Sequence, residues 1–124
     1  MSNLSLVGFF FKLQHTVKLF HWQTTDYAAH MASDMLHTGL APLVDQFIEV
    51  YQGNKKIRVP DRSINFDIQS LSKDEFSKLL KEATVWFNNE IFKFDITAQD
   101  TELLNIRDEI VGLINKTIYL LTLN

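Results

Sequence analysis

The segment from residue 21 to residue 49 is rich in side chains that bind metals. Imidazole combined with carboxylate suits iron, zinc or manganese better than calcium or magnesium. The chain has no cysteine, so thiolate metal sites and disulfides are excluded. The chemistry that this segment offers is therefore metal binding by nitrogen and oxygen ligands. The candidate ligands, which stand among mostly apolar or small residues, are His21, His30, Asp34, His37, Asp45 and Glu49.

The spacing of these residues limits how they can share one metal ion. His30 and Asp45 are separated by 15 positions, which is about 22 Å along an α-helix at about 1.5 Å per residue. A ligand lies only about 2 Å from its metal, so one chain cannot bring both residues to the same ion. Pairing the same helix antiparallel with that of a second copy places Asp45 opposite His30. We therefore predict a symmetric homodimer with two equivalent sites, each built from His21 and His30, with or without Asp34, of one chain and Asp45 and Glu49 of the other.

The angular positions of the candidate ligands around the helix indicate that they share one face. With about 100° between successive residues, the candidates from His30 to Glu49 fall within about 120° of the helical wheel. Asp45 and Glu49 are four positions apart and can point at one centre. His21 ends the preceding helix, which brings it near His30 if the connection is short.

The periodicity of apolar residues predicts four helices and no convincing strand. We place helix A at about residues 4–22, helix B at 26–51, helix C at 73–93 and helix D at 101–121. Residues 24–26 are good N-cap residues for helix B. Ser72 and Glu75 form a capping box at the start of helix C.

Two residues predict local features of helix B. We expect the helix to stop at Gly53. Pro42 lies inside it, where proline removes one backbone hydrogen bond and clashes with the carbonyl group four residues back. We therefore expect a kink or bulge near Thr38.

The connections between the helices indicate the fold class. The A–B and C–D connections are short, whereas residues 54–71, which include Pro60, form one long polar crossover with at most a short strand-like piece. This arrangement predicts an all-α, ferritin-like four-helix bundle in a single domain of residues 1–124.

Composition excludes several classes of function. The net charge is −3 and the pI is near 5.7, which is not typical of a nucleic-acid-binding protein. No stretch approaches the roughly 18 apolar residues of a membrane span. The N-terminal segment lacks a basic leader and a small-residue cleavage site, so we expect no secretory signal and a cytoplasmic location.

The ligand pattern resembles that of the starvation-induced DNA-protecting miniferritins, the Dps proteins. The matching elements are the pair His21–Trp22 at the end of helix A, His30 early in helix B, an acid four residues later, and an Asp-x-x-x-Glu sequence late in helix B. The resemblance implies a ferroxidase-type site that binds iron across a dimer two-fold axis. It implies that Asp34 binds the weaker ion or orients a ligand, and it gives His37 no role.

The whole chain also resembles an uncharacterised ferritin-like family found largely in phages and giant viruses. The segments FHWQT, EVYQG and NIRDEI carry this second resemblance, which brings no established activity. The first resemblance does not extend to DNA binding, because the N-terminus has no lysine-rich arm. Two hypotheses follow: an iron-binding protein that oxidises Fe(II), in a dimer or a higher oligomer, or a non-catalytic structural or interaction protein with a vestigial or structural metal site.

Overall fold

A computed structural model describes residues 4–59 and 63–123 of the chain. The described residues form four α-helices and one short 3-10 helix, and they contain no strand. The prediction of an all-α fold with four helices is confirmed. Among these residues, no helix combines the length and apolarity needed to cross a membrane. The helices are α1 (Leu6–Gln23), α2 (Tyr27–Lys55), α3 (Lys73–Asn89) and α4 (Thr101–Leu120), and the 3-10 helix is Glu90–Lys93.

Side-chain caps explain where three helices begin. The Ser5 hydroxyl accepts a hydrogen bond from the amide of Gly8 at 3.0 Å, and the Asp26 carboxylate accepts one from the amide of Ala28 at 3.1 Å. At α3 the predicted capping box is present: the Glu75 amide donates to the Ser72 hydroxyl, and the Ser72 amide donates to the Glu75 carboxylate. These bonds satisfy amide groups that have no partner within the helix.

Three of the predicted boundaries and features need correction. The helix passes through Gly53 and ends at Lys55, where Lys56 adopts the left-handed conformation with φ of 56°. Of the kink or bulge expected near Thr38, the bulge is absent, because residues 27–55 are one uninterrupted α-helix that includes Pro42. The predicted helix C is α-helical only to residue 89 and continues as the 3-10 helix. Pro60 lies outside the described residues.

Ion pairs at the two ends of the bundle show the directions of the helices. Lys73 Nζ lies 2.8 Å from a carboxylate oxygen of Asp26, so α2 and α3 begin at the same end. Lys55 Nζ lies 2.9 Å from a carboxylate oxygen of Asp100, so α2 ends where α4 begins. The long crossover therefore allows α3 to run parallel to α2, whereas α1 and α4 run in the opposite direction.

Aromatic side chains join α1 to α3 and complete the bundle. The ring of Phe9 stacks on that of Trp86 with centroids 3.6 Å apart and packs edge-on against Phe87. Nearer the opposite end, the rings of Phe20 and Phe76 stack at 4.0 Å. Because α2 packs against both α1 and α4, and α4 against α3, the four helices enclose one core.

Residues 64–70 of the crossover lie along α1 as an extended strap. Lys12 donates a hydrogen bond to the carbonyl group of Asp67, and the ring of Phe66 stacks on that of His15 with centroids 5.6 Å apart. At its end, Ser70 donates to the side chain of Gln23. The strap therefore covers the side of α1 that carries Lys12 and His15.

Candidate metal site

The corner between α1 and α2 brings His21 and His30 into contact. Their rings stack with centroids 3.9 Å apart and planes 20° from parallel. His21 lies in the last turn of α1 and His30 in the first turn of α2, and the three-residue connection from Thr24 to Asp26 holds the turns together. The proximity predicted from the short connection is therefore present in the structure.

Each of these histidines is bonded to the backbone of the other. Nδ1 of His21 lies 2.9 Å from the carbonyl oxygen of His30, and Nδ1 of His30 lies 2.9 Å from the carbonyl oxygen of His21. A carbonyl oxygen only accepts hydrogen bonds, so both Nδ1 atoms carry hydrogen. In a neutral imidazole the proton-free atom is then Nε2, which keeps its lone pair. A backbone carbonyl is a common partner for the second nitrogen of a histidine that binds a metal.

Ser33 and Asp34 complete this half of the candidate site. The hydroxyl of Ser33 is buried, donates to the carbonyl oxygen of Ala29 at 2.8 Å and lies 3.4 Å from Nδ1 of His21. Asp34 has a carboxylate oxygen 3.9 Å from Nε2 of His21. The Asp34 side chain is 51% exposed and that of His21 is 12% exposed, so this group opens to solvent on the side of the acid.

Ser33 was not among the residues predicted from sequence. Its position gave a signal, because it lies three residues after His30, on the side of α2 that faces α1 and the core. A serine at a buried position needs a hydrogen-bond partner, and in this corner the partners are the backbone carbonyl groups of Ala29 and His30.

Asp45 and Glu49 lie in the distal half of α2, and both are exposed. Within one chain they lie far from His21 and His30, as the spacing along the helix predicts. Among residues 4–59 and 63–123, no group of three or more histidine, aspartate or glutamate side chains is placed to hold a metal ion. The five predicted ligands therefore form two separate sets in one chain, His21, His30 and Asp34 at the corner and Asp45 and Glu49 towards the far end.

Close packing of α2 on α4 determines which side of α2 is exposed. A Cβ atom placed on Gly39 would lie 2.6 Å from a methyl carbon of Leu113, so the backbone of α2 approaches α4 closely there. The opposite side of α2 has no cover from the described residues of the chain. We call it the outer face, and its exposed or half-exposed residues are Tyr27, Met31, Asp34, Thr38, Ala41, Asp45 and Glu49.

His37 lies beside the outer face in a partly buried position. Burial lowers the pKa of His37 below its ordinary value of 6.5, and the positive charge of Lys18 lowers this pKa further. His21 and His15 act in the same direction, whereas Asp34 raises the pKa of His37. The folded protein therefore favours the neutral form of this imidazole.

This environment predicts a pH dependence of stability. The unfolded chain takes up a proton at His37 near pH 6.5, before the folded protein does. The contribution of His37 to the free energy of unfolding is therefore present above pH 6.5 and is lost as the pH falls through the lower pKa of the folded state. Urea unfolding between pH 7.5 and roughly pH 5 measures this loss, and we expect His37→Gln to flatten it.

The comparison variant is His15→Gln, since His15 is exposed on α1 and is the weakest of the groups that lower the pKa of His37, so this variant should flatten the pH profile much less. A pH profile that is the same for His37→Gln and the parent protein would contradict the assignment.

The comparisons with known proteins give one family. Residues 21–121 match a family of unknown function, DUF5856. No curated protein and no solved structure matches the chain. The match begins at His21 and includes all five predicted ligands. Because it spans 101 of the 124 residues (positions 21 to 121), the chain belongs to this family.

Proposed function

We propose that the protein is a ferritin-like, Dps-like homodimer that binds iron and oxidises Fe(II) at two sites shared between the copies. The observation that carries this proposal is the reciprocally bonded pair of His21 and His30. Both rings are fixed by the backbone through Nδ1, which leaves both Nε2 atoms as donors to a metal. Zinc or manganese would suit the same nitrogen and oxygen ligands.

The topology supports the ferritin-like part of the proposal. Two short connections and one long crossover allow α3 to run parallel to α2, which is the arrangement of ferritin-like bundles. The exposed acids support the dimeric part. Asp45 and Glu49 lie one turn apart on the outer face, where a second copy of α2 running antiparallel would meet them.

Each predicted ligand has a separate role in this proposal. His21 and His30 of one copy and Asp45 and Glu49 of the other would hold Fe(II), which is the substrate of the reaction. Asp34, which lies close to Nε2 of His21, would bind the weaker ion or orient the imidazole. Two Fe(II) ions each give one electron to hydrogen peroxide, whose O–O bond breaks, and two protons from solvent complete two water molecules. The product is two Fe(III) ions.

A titration tests the proposal. The protein is loaded with Fe(II) without oxygen, hydrogen peroxide is added, and the absorbance of Fe(III) is followed. We expect oxidation well above the rate of iron in buffer, and loss of this excess in His30→Ala and Asp45→Asn. Asp45 is exposed, so Asp45→Asn separates loss of a ligand from loss of folding. The parent protein oxidising no faster than these variants would overturn the proposal.

A second function is supported by the same corner. The two hydrogen bonds between His21 and His30 join α1 to α2 without any metal, as a structural or interaction protein with a vestigial metal site would need. Elemental analysis of the purified protein separates the alternatives. Metal content near zero in the parent, with no change in Asp45→Asn, would favour the structural function, and bound zinc without redox turnover would indicate a structural metal.

A further inference from the structure

The outer surface formed by α1 and α2 differs between its two ends. Near the corner, Tyr27 is 76% exposed and Trp22 is 69% exposed, so two large aromatic side chains project into solvent. Towards the other end, an apolar groove of about 260 Å³ lies between the helices. Its lining includes Val7, Phe11, Val44 and Ile48, with Asp45 at its edge.

The charged side chains on this surface also differ between its two ends. The corner carries Lys18 and the carboxylate of Asp34, whereas the groove end carries the carboxylates of Asp45 and Glu49. A surface with projecting aromatic groups at one end and an apolar groove at the other complements a second copy of itself turned through 180°, and this turn also brings Lys18 towards the Asp45 and Glu49 end of that copy. A second copy is therefore the occupant that we assign to the groove.

The register of the two helices identifies the residue that enters the groove. In an antiparallel pair of α2 helices, the residue numbers of any two facing residues add up to the same total. The register that places His30 opposite Asp45 has a sum of 75 (30 plus 45), and it places Tyr27 opposite Ile48, which lines the groove.

We infer that Tyr27 of each copy seats in the groove beside Ile48 of the other and anchors the dimer. This inference rests on the antiparallel pairing of the proposed function and names the contact that stabilises it. Aromatic side chains that fill a pocket on the partner are the usual anchors of protein interfaces. The ligand sets of the two copies then meet because Tyr27 and His30 lie on adjacent turns of α2.

Sedimentation equilibrium of metal-free protein tests the inference. We expect a dimer for the parent and a dissociation constant at least about 30-fold higher for Tyr27→Ala, since each dimer loses two anchors. The matched control is Tyr119→Ala, because Tyr119 is 62% exposed on α4, away from this surface. The control should leave the dissociation constant unchanged.

A double-mutant cycle provides the second measurement. Ile48→Ala should also weaken the dimer, and Tyr27→Ala combined with Ile48→Ala should cost less than the sum of the single changes, because the two residues contact each other across the interface. Circular dichroism of each variant confirms that the helices are intact. Additive effects, equal dissociation constants for Tyr27→Ala and Tyr119→Ala, or a metal-free protein that is monomeric at all concentrations would overturn the inference.

The outcomes separate this inference from the proposed function. A dimer that depends on Tyr27 but oxidises no Fe(II) would support the anchor and overturn the ferroxidase. Oxidation of Fe(II) by a protein whose dimer is insensitive to Tyr27→Ala would support the ferroxidase and overturn the anchor.

Discussion

A chain that lacks His21 and His30, mixed with a chain that lacks Asp45 and Glu49, should recover the Fe(II) oxidation that neither variant shows alone. In a mixed dimer, one site combines the two damaged sets and the other combines the two intact sets. Recovery requires that one site take ligands from two chains. Sites built within one chain would remain inactive in every combination.

The size of the recovery follows from symmetry. Random exchange of equal amounts places the two variants together in about half of the dimers, and each of these has one intact site of two, so about a quarter of the parental rate should return. The control is the chain without histidine ligands mixed with a chain that lacks all four residues, which should recover nothing. A mixture no more active than its separate components would contradict sites shared between the copies.

Replacing Phe9 by alanine should cause the largest loss of stability. Phe9 is fully buried and stacks on Trp86 with ring centroids 3.6 Å apart. Removing a buried phenylalanine side chain typically lowers the free energy of unfolding by about 3–5 kcal/mol, which is a large part of the 5–15 kcal/mol of an ordinary domain. Urea unfolding monitored by circular dichroism measures the change. If the free energy of unfolding depends on urea concentration with the same slope in both proteins, the change belongs to the folded state.

Phe11→Ala is the matched control for this prediction. Phe11 lies on the same helix but is partly exposed, with its ring 6.0 Å from that of Phe66. At protein concentrations where the chain is monomeric its removal should cost much less, since Phe11 is already partly exposed and little apolar surface returns to water. If Phe9→Ala and Phe11→Ala destabilised the protein equally, the aromatic cluster between α1 and α3 would not be the centre of the core.

The elements of the fold were predictable because local signals agree with the tertiary structure. The apolar periodicity, the Asp26 cap and the Ser72–Glu75 capping box all specify helices where the structure has them. The predicted stop at Gly53 was wrong because glycine permits the end of a helix without requiring it. The helix continues to the ion pair between Lys55 and Asp100, so a contact distant in sequence decides the boundary.

Pro42 lies within a continuous α2 helix for a related reason. Its ring and the residue four positions earlier, Thr38, lie on the exposed side of α2. The carbonyl group of Thr38 that loses its helical partner can therefore bond to water. Tertiary packing of the inner side against α4 then keeps the helix continuous, which a local rule about proline does not include.

The candidate site was predictable only in part. The short connection made the proximity of His21 and His30 foreseeable, and the helical rise made it necessary that Asp45 lie far away. The reciprocal bonds between the histidines were not foreseeable, because they depend on the angle at which α1 and α2 meet. Ser33 was not predicted for the same reason, because its buried position beside His21 depends on that angle.

The opposite burial of the two tryptophans makes them separate optical probes. Trp86 is 3% exposed and stacked on Phe9, whereas Trp22 is 69% exposed, with Lys18 Nζ 5.6 Å from the centre of its ring. The fluorescence of the native protein is therefore the sum of a blue-shifted emission from the core and a red-shifted emission from the helix corner. We expect iodide to quench the second emission and not the first, because only Trp22 is exposed. One emission spectrum thus reports unfolding and events at the α1–α2 corner independently, without an introduced label.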